Sequence, residues 1–287
     1  MPSIVRQNGS SNVFLYLLGE WYCFDMNSAP LGGGAMGVVY SGWNHRTGTP
    51  VAIKMVRQEY SDNQEIRRRA RTEARMTFLH PNIVRNFGVC EHESLTGPIF
   101  IISEYVHGYT FDTYCRRMLS YMSPKGRAAQ IAFLSASVLD ALQYIHNVGV
   151  VHRDIKPSNI MVTVQGGVKV MDLGISKFEK DGGVELGFMG TSLYAAPEVI
   201  ESKCVVDGRA DIYAMGVTIY ELITGYNPFN APTQQQILRN QLNWELPADQ
   251  LIPDELFYVL RKATSKNRED RYDTAAQFAK DLEQFYK

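Results

Sequence analysis

The chain has 287 residues, 45% of them apolar and 21% charged, with 29 Lys and Arg against 30 Asp and Glu. That balance fits one large globular domain or two smaller ones and excludes long intrinsic disorder, while a net charge of −1 excludes nucleic-acid binding by bulk positive charge. Four scattered cysteines (Cys23, Cys90, Cys115, Cys204) form no CxxC pair, which argues against a disulfide framework or zinc site and for a reducing, cytoplasmic setting.

Near the N-terminus the apolar run 13–18, VFLYLL, is too short for a signal-peptide core and reads as a strand or one helical turn packed on the domain. No segment reaches the apolar length of about eighteen residues that a membrane helix needs. The first third then reads as strands. β-rich runs at 37–40, 51–53 and 99–102 are separated by turn signals, and Asn44-His45-Arg46-Thr47-Gly48 suits a hairpin. One charged helix is expected over 63–79, stopped by Pro81. The second half reads as helices at 128–147, 210–224, 254–263 and 274–286, each with apolar residues at helical spacing. Strands first and helices later predict an α+β protein of two unequal lobes, joined near 104–108, with a cleft between them.

Chemistry enters at LGGGAMG, residues 31–37, where Gly32, Gly34 and Gly37 stand in GxGxxG spacing. Glycines let backbone amides approach a polyphosphate closely. In a dinucleotide fold such a loop opens a helix. Here Val38, Val39 and Tyr40 continue as a strand, which favours a glycine-rich hairpin folding over a nucleotide. Lys54 ends the apolar strand Val51-Ala52-Ile53, and its ammonium is a compact charge suited to phosphate oxygens. Glu73 in the charged helix is the candidate acidic partner of Lys54, with Glu65 as the fallback.

The segment VHRDIKPSNIM, residues 151–161, follows a long helix. Asp154 is placed to orient an attacking hydroxyl and accept its proton. Lys156 can neutralise charge on a phosphoryl group in transfer. Asn159 offers a hard oxygen to magnesium. Asp172, in Met171-Asp172-Leu173-Gly174, follows an expected strand at 168–171, and a carboxylate there can bridge metal and phosphates.

With the glycine loop, Val51-Ala52-Ile53-Lys54, the HRDIKPSN strip, Asp172-Leu173-Gly174 and Ala196-Pro197-Glu198 in that order, the sequence resembles the eukaryotic-type serine/threonine protein kinases, in their bacterial-like branch, over about residues 31–286. The resemblance implies a bilobal kinase-like fold: an extension at 1–21, then a kinase domain at 22–287 with a β-rich N-lobe to about 105 and a mainly helical C-lobe from about 106. It implies ATP and Mg2+ as cofactors and a protein substrate with a Ser or Thr acceptor, with no nucleic acid and no membrane span. By resemblance, Leu31, Gly32, Gly33, Gly34 and Gly37 belong to the nucleotide loop, and Lys54 holds the α- and β-phosphates. Asp154 is the catalytic base, and Asn159 with Asp172 holds magnesium. Glu104 and Val106 present hinge backbone to adenine; Val39, Ala52 and Met161 sandwich the ring; Asp112 touches the ribose. Thr191 bonds the base and lysine near the substrate hydroxyl. Asp211 resembles the helix aspartate that braces the catalytic loop, and Arg271 the arginine that pairs with Glu198.

Two departures from the family pattern carry expectations. Ser103 stands at the gatekeeper position, where a larger residue is usual, and implies an open rear pocket. Between Lys177 and Met189 there is no Ser or Thr, while Glu179, Asp181 and Glu185 supply acids that could satisfy Arg153 without phosphorylation. A pseudokinase scaffold and a small-molecule kinase are the alternatives. The first is disfavoured because every charged role is filled, the second because the stretch 190–198 supplies a peptide platform.

Overall fold

The computed structural model describes residues 4–6, 9–34, 37–57, 64–75, 77–91, 97–172, 192–201 and 205–287, and within 64–75 the side chains of Gln64, Arg67, Arg68, Ala70, Arg71 and Thr72. These fall into two compact units: one from the described residues of Met1–Leu79 and Val84–Val106, the other from those of His80–Ile83 and His107–Lys287. The change of unit after Val106 lies inside the expected join.

The first unit holds strands β1 (Ile4–Arg6), β2 (Asn12–Leu17), β3 (Glu20–Asp25), β4 (Gly32–Gly33), β5 (Gly37–Asn44), β6 (Pro50–Val56), β7 (Asn86–Glu91) and β8 (Ile99–Glu104), with helix α1 (Gln64–Arg75) between β6 and β7. They form one sheet in the order β1-β2-β3-β5-β6-β8-β7, with β4 paired to β5 off that path. The β5–β6 hairpin turns where the sequence signalled it. Asn44 Oδ1 accepts from the amides of Arg46 and Thr47 at 3.0 and 2.9 Å, and Gly48 takes a left-handed φ of 71°. The sheet curls until β2 meets β7: Cys90 Sγ donates to Tyr16 O at 3.4 Å, and Leu17 fills the space above Gly88.

Strand alternation then sorts the side chains. Val13, Leu15, Phe24, Val51, Ile53, Cys90, Phe100 and Ile102 form the interior of the curl. Val56, Ala70, Ile99 and Ile101 form a second cluster that joins the sheet to α1. Helix α1 is tied down by charge as well. Arg67, 2% exposed, donates to Glu91 Oε2 at 2.9 Å and to Gly97 O, while Arg71 Nε reaches Glu91 Oε1 at 2.6 Å. Burial pushes the Glu91 carboxyl up, but the two guanidiniums more than offset it and hold its pKa below the usual range.

The apolar run 13–18 is strand β2, and the residues expected as an extension supply β1, β2 and the start of β3 to this sheet. Helix α1 ends at Arg75, short of the expected 79, and 77–80 are not helical. Pro81 therefore does not stop it directly. A residue before proline is driven out of the helical region. His80 instead joins the second unit, where its Nε2 lies 3.2 Å from Asp140 Oδ2 and its ring lies 5.0 Å from that of Tyr144.

The second unit is mainly helical: α2 (Phe111–Met118), α3 (Pro124–Asn147), α4 (Pro197–Glu201), α5 (Arg209–Thr224), α6 (Gln234–Asn243), α7 (Asp254–Ala263) and α8 (Ala275–Leu282). Short strands β9 (Gly108–Thr110), β10 (Ile160–Thr163) and β11 (Val168–Val170) form a three-stranded sheet in the order β11-β10-β9. Ser123 Oγ caps α3 by accepting from Gly126 N at 3.2 Å, with Pro124 in the first turn. Contrary to the expectation that no segment is long enough, α3 is by length and composition apolar enough to cross a membrane. Ile131, Leu134, Val138, Leu142 and Ile145 are buried in this unit's core, while Phe133 is exposed. Nearly all of α5 is buried too, and Gly225 ends it with a φ of 85°. Helix α8 stops at Leu282, before the expected 286, and continues as the 3-10 turn Glu283–Phe285. The elements α2, α4, α6, β9 and β10 were not anticipated from the sequence.

Candidate active site

In the first unit the ladder places the nucleotide-site candidates opposite one another. Val39 faces Lys54 on one side and Gly32 on the other, and Gly33 faces Val38. Ala52 faces Ser103, and Lys54 faces Ile101. Leu31 N donates to Val39 O at 2.8 Å, and Gly34 N to Gly37 O at 2.9 Å, which closes the loop as a hairpin. The glycines are not equivalent. A Cβ on Gly37 would lie 2.6 Å from Met55 O, so packing alone demands glycine there. A Cβ on Gly32 or Gly34 meets nothing within 4 Å, so backbone packing does not explain those two. Ser103 Oγ lies 3.5 Å from Ala52 O. The Glu104 amide is committed to Arg85 O at 2.9 Å, and Val106 is the last residue of this unit. The side chain of Glu73 lies outside the described residues.

In the second unit the strip at 151–161 is a braced loop that passes through the 3-10 turn Pro157–Asn159 into the start of β10. Asp154 Oδ2 accepts from Lys156 Nζ at 2.8 Å and from Asn159 Nδ2 at 2.7 Å. Asn159 Nδ2 also donates to Asp154 O at 2.8 Å, which leaves the amide oxygen as the end Asn159 can offer to a ligand. Met161, on β10, pairs with Thr110 and Lys169. Met171 N donates to Asn159 O at 2.9 Å, so Asp172 is carried beside the same turn. Thr191 lies outside the described residues.

Two groups hold the loop from below. Asp211, 1% exposed, accepts from the amides of His152 and Arg153 at 2.8 Å each and from His146 Nε2 at 2.7 Å. Burial acts to raise the Asp211 pKa, but these donors outweigh it and hold it below the usual range. The fully buried His152 accepts from Asp154 N at Nδ1 and lies 3.0 Å from Met171 O at Nε2. A carbonyl only accepts, so Nε2 carries the proton and the ring is neutral. Burial, the largest influence, lowers its pKa against the pull of Asp211. Arg153 and Asp172 both take left-handed φ values, 63° and 47°, which non-glycine residues adopt only where their surroundings enforce it.

Beyond the strip, Glu198 and Arg271 form a two-bond buried pair at 2.7 and 2.8 Å. Asp112 Oδ2 accepts from Arg116 at 2.7 Å, and its Oδ1 is buried with no hydrogen-bond partner among the described residues.

Residues 26–282 match the family described as the protein kinase domain. The chain belongs to that family. Among its curated relatives, a probable serine/threonine-protein kinase of Corynebacterium efficiens is 35% identical over 89% of this chain and 40% of its own length. The serine/threonine-protein kinase PknB of Mycobacterium tuberculosis is 33% identical over 88% of this chain and 41% of its own. A probable serine/threonine-protein kinase of Streptomyces coelicolor is 33% identical over 88% of this chain and 38% of its own. The chain thus spans about two-fifths of the length of these relatives. Within this kinase domain the sequence pointed to Asp211 and to the Glu198–Arg271 pair. It did not point to His146 as the second partner of Asp211, nor to Tyr194, Glu221 and Gln241 around the segment before Glu198. No local spacing marks those contacts.

Proposed function

We propose that the chain is an ATP-dependent serine/threonine protein kinase that passes the γ-phosphoryl group of ATP to a Ser or Thr hydroxyl of a protein. What supports this most directly is the Asp154 carboxylate, gripped by Lys156 and Asn159 on a loop that Asp211 braces. Such a carboxylate is fixed in direction and ready to accept one proton. The acceptor oxygen forms a bond to the γ-phosphorus as the bond from phosphorus to the β–γ bridging oxygen breaks. ADP leaves with that electron pair, and the hydroxyl proton passes to Asp154. Lys156 offsets charge on the phosphoryl oxygens, and Lys54 holds the α- and β-phosphates.

A magnesium ion fits the donors present. Asn159 Oδ1 and the Asp172 carboxylate are hard oxygens, and among the described residues no set of three His, Cys, Asp or Glu converges to hold a metal alone. A pair of protein ligands suits an ion that keeps water and phosphate oxygens as its others. When bound, it supplies charge neutralisation across the phosphates. Asp112 at the ribose is carried by the resemblance alone, since its Oδ1 is buried and its Oδ2 is bonded to Arg116. Glu73 as partner of Lys54, and Thr191 beside Asp154, complete the reading from the sequence. The kinase domain runs over 22–287 in this reading. A cytoplasmic setting rests on thiols that are scattered and, at Cys23, Cys90 and Cys115, buried.

The test is transfer of labelled phosphate from ATP to a generic basic protein and to small alcohols, with wild type and Asp154→Asn. Wild type should label the protein, and the variant should lose roughly 10²–10⁴-fold in rate while still binding nucleotide. Equal rates in the variant, or labelling of alcohols alone, would sink the proposal.

A further inference from the structure

The stretch 192–196, just before Glu198, is held by side chains rather than by a strand ladder. Leu193 O accepts from Gln241 Nε2 on α6 and from Asn227 Nδ2 in the turn after α5, the latter at 3.3 Å. Both acceptor directions of that carbonyl are therefore taken. The neighbouring Tyr194 hydroxyl donates to Glu221 Oε2 at 2.7 Å, and Asn227 Nδ2 joins the same oxygen at 3.0 Å.

Behind Gln241 lies a chain of bonds whose direction is forced. Lys266 Nζ donates to Tyr213 Oη at 2.8 Å and to Gln241 O at 2.7 Å. A carbonyl only accepts, so the Gln241 nitrogen must face Leu193 O and its Oε1 must face Tyr213, whose oxygen is left as the acceptor of a Lys266 N–H. The single proton of the tyrosine hydroxyl goes to Gln241 Oε1. Tyr213 and Gln241 are fully buried, so no solvent can substitute for a missing partner. Without Lys266 the tyrosine could accept from a reversed Gln241 amide, which would set oxygen against oxygen at Leu193. The same loop also holds Glu198, since Arg271 bonds Glu198 and the Lys266 carbonyl together.

We propose that Lys266, Tyr213 and Gln241 form a one-way hydrogen-bond chain that fixes the Leu193 carbonyl, and that Gln241 and Lys266 are thereby positioning residues for the protein acceptor. The inference rests on the protein-kinase reading above, in which the stretch before Glu198 is the platform that receives the acceptor. It assigns these residues no part in nucleotide binding.

Gln241→Met removes both ends of the amide at similar volume, and Lys266→Met removes the donor that occupies the Tyr213 oxygen and so disfavours the reversed amide. Steady-state kinetics with a basic acceptor protein should show its KM raised about tenfold by Gln241→Met and about threefold by Lys266→Met, with the KM for ATP changed less than about twofold. Lys266→Arg, which keeps the donors, should restore most of the loss. A folded variant with an unchanged acceptor KM, or with both KM values rising together, overturns the proposal. Hydrogen exchange of the free protein gives a readout that needs no activity. Amides in 192–201 should exchange faster in both Met variants, and unchanged exchange there overturns the positioning role. Should wild type label no protein at all, the kinase reading fails while the exchange result still decides the hydrogen-bond chain. Should Gln241→Met not fold, Lys266→Met, at a half-buried position, carries the same measurements.

Discussion

Arg271 uses every proton it has. Nε donates to Ser265 O, Nη1 to Glu198 Oε1 and Arg209 O, and Nη2 to Glu198 Oε2 and Lys266 O, at 2.7 to 3.1 Å. Five donors meet five acceptors on a side chain with no exposure, which is the condition under which a buried charge is tolerated. Arg271→Leu strands Glu198 and three carbonyls. It should cost about 3–5 kcal/mol in urea unfolding, and a loss near zero would show that the pair is idle. Lys266 is the opposite case. Burial pushes its pKa down to about 7, with Arg271 adding to the effect and Glu245 opposing it. Tyr213, which faces it from α5, has its own pKa raised by burial and so stays neutral as Lys266 titrates. The folded state resists the charged lysine, so the cost is complete below about pH 7 and is relieved as pH rises toward the unfolded value of 10.5. The thermal midpoint of wild type relative to Lys266→Met should therefore climb between about pH 7 and pH 9.5. A flat difference would contradict a depressed pKa.

Among elements, the start of α5 shows what a period in the sequence can and cannot reveal. The apolar spacing in 210–224 signalled the helix, and Asp211 near its start was legible as a brace. The reason Gly208 precedes it was not. A Cβ there would lie 2.5 Å from His146 Nδ1, on the ring whose other nitrogen bonds Asp211. Gly208→Ala, with an ordinary φ of −58°, should cost about 1–3 kcal/mol by overpacking and should slow transfer by disturbing the Asp211 grip. Normal stability and rate would show that His146 can move freely. His146 and Asp211 are 65 residues apart, and Gln241 and Leu193 are 48 apart. Contacts that long leave no local pattern, whereas the Asp154, Lys156 and Asn159 cluster lies within one short run and could be read from spacing alone. The boundary errors have the same origin. The end of α1 and the existence of β9 depend on packing within each unit rather than on the residues' own propensities.

At the scale of the whole molecule, the split between a sheet-rich and a helix-rich unit was legible because the change of period is abrupt near 104–108. The contribution of the first residues was not, because VFLYLL can be a strand or a helical turn until the sheet supplies its partners. Those partners are β1 and β3, which flank β2 in register. A sheet stops safely only where its last strand offers little to a neighbour. Here the terminal strand beside β2 is β1, three residues long with an exposed arginine at its end. Deleting residues 1–18 should bare the six-residue β3 as a new border and remove Val13 and Leu15 from the core, so that light scattering finds self-association absent from the full chain. A monodisperse deletion product would refute this. The β1–β2 hairpin then acts as a guard against strand-to-strand aggregation, a solubility device built into the border of the sheet.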